Sequence, residues 1–132
     1  MSEQDSPKKE LSYIASSRDQ FLVIAFSGAF SKGCEAILDA CQAAINQSQA
    51  RFVILSLHDV TEISINNIHL FVKLQAVIRK KPAVLRLCFL TPNIAALLKE
   101  QGAARNEEIF GPLADALLNC RDMMLKEEKK TK

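Results

Sequence analysis

His58 and Asp59 stand side by side directly after an apolar run, where catalytic groups gather at the carboxyl ends of strands in open α/β sheets. An imidazole beside a carboxylate can move a proton, but catalysis needs a third participant to hold or attack a substrate. The chain has no G-x-S-x-G elbow, no dinucleotide fingerprint and no phosphate-cradling glycine loop, and it holds four glycines in 132 residues. The pair therefore reads as loop residues without a catalytic role. The expectation is a protein that is not an enzyme, with no catalytic residue and no cofactor. Cys34, Cys41, Cys88 and Cys120 are scattered, with neither a C-x-x-C pair nor the histidine spacing of a tetrahedral metal site. Each falls on the apolar stripe of a predicted element, so all four are expected to be reduced and buried. His69 reads as a half-exposed surface residue of a helix.

Ser64 sits just before an apolar-periodic stretch and has two possible chemistries. Its hydroxyl can cap a helix by accepting a hydrogen bond from a backbone N–H two or three residues on. It can also accept a phosphate, which would bring roughly −1.5 to −2 charges to a helix N-terminus. Capping is the simpler reading. Arg79, Lys80 and Lys81 close the same stretch and read as complements to the helix dipole. Arg86 lies within an apolar run, so it must find a partner or reach solvent near a sheet edge or on a less covered face.

The elements that would position these residues follow from periodicity. Residues 11–14 and 21–26 read as two short strands, with the turn chemistry of Ser16 to Gln20 between them and Gly28 ending the hairpin. From Cys34 the apolar positions Ile37, Leu38, Cys41, Ala44 and Ile45 recur every three or four residues, as one face of a helix requires. Residues 51–57 and 83–90 are nearly continuous apolar runs, the mark of strands covered on both faces in a parallel sheet. Between them a second helix is expected over 65–80, stopped before Lys81 and Pro82 because the residue ahead of a proline avoids helical angles. Thr91 and Pro92 start a third helix, which runs to Gly102. A short strand near Ile109 and Phe110 is possible, and Pro112 opens a last helix with the stripe Leu113, Ala116, Leu117, Cys120 and Met124. The order ββαβαβα(β)α predicts an α/β fold: a mixed sheet of four to five strands with about four helices.

With 48% apolar residues the chain can bury one core without disulfides or metals, so one domain is expected over 11–125. Residues 1–10 and the charged stretch 126–132 read as tails. Of the net charge of +2, the lysine-rich end from Lys126 to Lys132 alone contributes +2 and the body only about +1, which argues against a nucleic-acid partner. No apolar run approaches the roughly 18 residues of a membrane span, and no leader pattern precedes the body, so a cytoplasmic protein without membrane insertion is expected.

Several stretches, taken in order, resemble a STAS domain (sulfate transporter and anti-sigma factor antagonist). FLVIAFSGAF at 21–30 resembles the family's second strand with its Ser-Gly turn, and FVILSLHDVTEISINN at 52–67 resembles its next strand and the loop into the second helix. Leu97 to Gly102, then Phe110 followed by Ala114 to Leu117, resemble the family's third helix and closing segment, so the likeness covers about 11–120. The resemblance implies a mixed sheet with helices largely on one side. It also implies docking to a protein partner, commonly an anti-sigma kinase in bacterial transcription signalling, switched by phosphorylating a Ser or Thr at the head of the second helix.

At that loop the family's Asp-Ser-Ser-Gly falls on Ser64, Ile65, Asn66 and Asn67, so the phospho-acceptor position is Ile65, which has no hydroxyl. The upstream acidic position falls on Ser56. The resemblance therefore implies a docking module without the usual switch, with Ser64 one residue early as a possible alternative acceptor. The expected contact residues are Ser31, Lys32, Thr61, Glu62, Ser64, Asn66 and Asn67, and the expected partner is an anti-sigma kinase-like protein or a transport ATPase subunit. A homodimer through an exposed Leu70 or Phe71 is a variant. The alternatives are a STAS-like domain that senses a nucleotide or lipid, and an accessory subunit of a transport complex.

Overall fold

Strand β2 (Phe21–Phe30) shows how alternation builds the sheet: Leu22, Ile24 and Phe26 point to one buried face while Phe21 and Val23 point to the other. The computed structural model describes residues 10–31, 33–81, 83–102 and 104–131, with 128–131 as backbone only. Five strands lie in the order β1-β2-β3-β4-β5, where β1 is Ser12–Arg18, β3 Phe52–Ile63, β4 Val84–Cys88 and β5 Ile109–Phe110. β1 runs antiparallel to β2, and all other pairs are parallel, giving the mixed sheet expected.

The strands are longer than their apolar runs. Ser16, Ser17 and Arg18, read as turn residues, are paired strand residues, and the connection shrinks to Asp19 and Gln20. Asp19 takes φ 54°, a conformation that tight hairpin turns need and short polar side chains tolerate. Gly28 does not end β2. It sits at φ 97° beside register shifts, and the strand continues to Phe30. β3 follows it to Ile63, through His58, Asp59, Thr61 and Glu62. The bulges break the two-residue period, which is why this half of β3 reads as a loop in the sequence. Glu10, placed with the N-terminal tail, forms an isolated bridge to Ala29; residues 1–9 lie outside the described residues.

Helix α1 spans Glu35–Gln47, and α2 (Ile68–Lys80) is entered through a 3₁₀ turn over Ile65–Asn67. α3 (Pro92–Glu100) starts as expected, with Thr91 Oγ1 accepting from Ile94 N at 3.3 Å, and Gly102 at φ 70° follows its end. A second 3₁₀ turn over Asn106–Glu108 leads into β5, and α4 covers Leu113–Thr131. α4 thus continues past 125, where a tail was expected; Lys and Glu favour helix and nothing in that stretch breaks it.

Leu38, Cys41, Ile45, Leu74, Ile78, Ile94 and Leu98 pack with Ile24, Val53, Leu55 and Leu87 into the main core, so α1, α2 and α3 share one face of the sheet. α4 alone covers the opposite face, with Ala116 and Cys120 on Phe52, Ile54 and Cys88. Phe71 is fully buried, its ring 5.5 Å from that of Phe30, and Leu70 is half-buried against the same core. The expected dimer surface on α2 is therefore corrected: Phe71 belongs to the core.

Cations tie the layers together. Lys81 Nζ donates to the carbonyls of Ile45 (2.6 Å), Asn46 (3.4 Å) and Ser48 (2.5 Å), closing the C-terminus of α1 rather than that of its own helix. Arg79 pairs with the buried Glu108 at 2.7 Å, and the same Glu108 Oε1 accepts from Arg105 N at 3.2 Å. Arg86 finds partners beneath α4: its Nε donates to Asn119 Oδ1 at 2.8 Å, and its guanidinium lies 5.9 Å from the centre of the Phe110 ring. Gln75 is wholly buried, and neither polar atom of its side chain has a hydrogen-bond partner.

Candidate functional site at the head of the second helix

The prolonged ends of β2 and β3 carry the chain to the head of α2 and build a polar rim there. Phe30 and Ile63 face each other in register, as do Ala29 and Glu62. Thr61 has no opposite number, because the bulge leaves it between paired neighbours, and it is exposed. The carbonyl of Phe30 is the hinge point: it accepts from Ser64 N at 3.0 Å and from Asn67 Nδ2 at 3.5 Å. Ser31, next along, accepts through its carbonyl from Cys34 N at 3.1 Å, which sets the entry to α1.

Ser64 is extended (ψ 137°), and its Oγ accepts from Asn66 N at 3.3 Å, so it caps the 3₁₀ turn as its position suggested. Asn67 N then donates to Ser64 O at 2.9 Å. Ile65 is 57% exposed at this corner, with Asn66 exposed beside it. The first turn of α2 has no acidic residue, so it supplies no carboxylate of its own to its N-terminal partial positive charge. Behind the rim, burial pushes the Cys34 thiol above its ordinary value.

Of the residues singled out in the sequence, Ser31, Glu62, Ser64 and Asn67 are brought together around the Phe30 carbonyl, with Thr61, Ile65 and Asn66 on the exposed side of the rim. Lys32 lies outside the described residues. Ser56 is displaced from the rim. It is buried in mid-strand, paired with Cys88 and hydrogen-bonded to that thiol, and eight residues of chain, roughly 25 Å of extended strand, separate it from Ser64. Phe30 escaped the sequence reading because its role is played by a backbone carbonyl, which no side-chain pattern signals.

The His58–Asp59 pair forms, with Nδ1 and Oδ1 3.0 Å apart and both side chains mostly exposed. His58 rests edge-on against Phe89, at 4.9 Å between ring centres, and Phe89 itself takes φ 61° at the end of β4. Among the described residues no group of three His, Cys, Asp or Glu side chains could hold a metal ion. The four cysteines are free and buried, and desolvation pushes Cys41 up to about 12 and Cys120 up to about 11. Among the described residues no helix is long and apolar enough to cross a membrane.

No protein-family model matches the sequence, and no curated protein matches it. Solved structures do match. An anti-sigma factor antagonist from Mycobacterium paratuberculosis superimposes with a TM-score of 0.70 at 18% identity, covering 85% of this chain and 95% of that one. An anti-sigma-factor antagonist (STAS) domain protein from Planctomyces limnophilus gives 0.67 at 22% identity, covering 82% and 97%. The murine solute carrier 26 family member A9 anion transporter gives 0.67 at 13% identity; the match covers 86% of this chain and 22% of the transporter. Five strands, four helices and their connectivity agree with these domains, and the chain has the STAS fold.

Proposed function

We propose that this chain is a non-enzymatic docking module that binds a protein partner through the head of α2 and the adjoining ends of β2 and β3. The observation that carries the reading is Ile65: a large aliphatic side chain, 57% exposed at a helix head, beside the Ser64 cap. In the resemblance that position carries the phosphate-accepting hydroxyl, whose modification adds charge and repels or recruits a partner. Isoleucine supplies apolar contact area instead, so docking here is constitutive. The Ser64 hydroxyl is already engaged as a cap, which weighs against its service as a substitute acceptor.

The partner is an anti-sigma kinase-like protein or a subunit of a transport complex. The second option draws support from the transporter neighbour, in which a domain of this fold is part of a much longer chain. The test is affinity capture from a lysate of the native organism, with intact-mass measurement of the bait and Ile65→Asp run in parallel. Recovery of one such partner by the unmodified chain, lost in the variant, is the expected result. A phosphate on Ser64, or a partner retained equally by the variant, sinks the constitutive reading.

A further inference from the structure

Helix α4 turns its apolar stripe of Ala116 and Cys120 into the sheet, yet the side half a turn away is not purely polar. Leu118 is 56% exposed and Leu125 52% exposed, two of the four large apolar residues exposed among the described ones. They lie two turns apart, with Arg121 and Asp122 exposed between them. Neither of these charged side chains makes an ion pair or hydrogen bond with any described residue.

The spacing is self-complementary. Leu118 lies three residues before Arg121, and Leu125 lies three residues after Asp122. A two-fold axis between Arg121 and Asp122 lays a second α4 antiparallel on the first. Each Leu118 then meets Leu125 of the second copy, and each Arg121 meets Asp122 of the second copy. We propose that a second copy of this chain docks on the outward face of α4 by this antiparallel pairing, making an isologous dimer. Helices of this type pack 8–10 Å apart, and a 19-residue α4, roughly 28 Å long, offers several turns of contact.

The alternative occupants fit less well. Residues 1–9 of the chain contain one large apolar residue, Met1, too little to fill the stripe. A different protein would have no need of a cation and an anion placed symmetrically between two leucines. The inference is independent of the docking reading, since Ile65 belongs to the head of α2 and not to this helix.

The test is light scattering and sedimentation of the purified full chain across a concentration series, with melting temperature as the control for folding. A dimer is expected for the unaltered chain and for Ile65→Asp. Arg121→Asp or Asp122→Arg alone sets like charges opposite each other and weakens the dimer by about tenfold or more; the double variant R121D/D122R restores it to within about threefold. A chain monomeric throughout the series overturns the proposal, including the case where another protein covers α4. A dimer indifferent to Leu125→Glu, or a double variant no better than either single one, overturns it as well.

Discussion

The two ends of helix α2 are held by opposite means. At its head, Ser64 and Asn67 make neutral hydrogen bonds at 2.9–3.5 Å, chiefly with backbone around the Phe30 carbonyl, and the side chains that project outward are Ile65 and Asn66. At its tail, Arg79 reaches a buried carboxylate and Lys81, just beyond, gathers three carbonyls at the end of α1. Charge-assisted bonds in partly buried places are strong and costly to break, whereas neutral caps at an exposed turn are weak. The tail is therefore scaffold and the head is surface. A docking site benefits from that division, because side chains at the head can change without loosening the core.

Five substitutions test how sharp the division is, each read as a change in unfolding free energy by denaturant titration. Arg79→Met leaves the Glu108 carboxylate, 9% exposed, without its cation, and is expected to cost about 3 kcal/mol. Lys81→Met frees the last carbonyls of α1 and is expected to cost about 2 kcal/mol, with the loss centred on α1 in hydrogen exchange. Gln75→Leu works in the other direction: it removes two buried polar atoms that have no partner and is expected to stabilise by about 1 kcal/mol. At the head, Ser64→Ala is expected to cost about 0.5–1 kcal/mol, and Ile65→Asp to stay within about 0.5 kcal/mol of the unaltered chain while abolishing partner capture. A head substitution as damaging as Arg79→Met would erase the distinction between scaffold and surface.

Parts of this picture were legible early. The spacing of Leu38, Cys41 and Ile45, the cap and proline at Thr91 and Pro92, and the buried runs around Ile54 and Leu87 each carry a local signal with a known period. Ser64 announced its cap by its place before a periodic stretch. By contrast, the outer half of β3 looked like a loop because irregularities between Ser56 and Asp59 and at Thr61 upset the alternation. Phe71 looked available because helical periodicity tells which residues share a stripe but not which stripe meets the sheet. The targets of Lys81 and Arg79 lie 33–36 and 29 residues away in sequence, beyond the reach of any local pattern.

By itself, then, the sequence determined the kinds of element, their order, the mixed sheet that order requires, and the absence of a hydroxyl at position 65. Those follow from side-chain period, turn chemistry and residue identity, which act over a few residues at a time. Only the tertiary structure decided where strands end, which helix faces are buried, that a single backbone carbonyl organises the head of α2, and that Leu118 and Leu125 remain uncovered. Those depend on register and packing between distant segments, where a shift of one residue exchanges an inner face for an outer one.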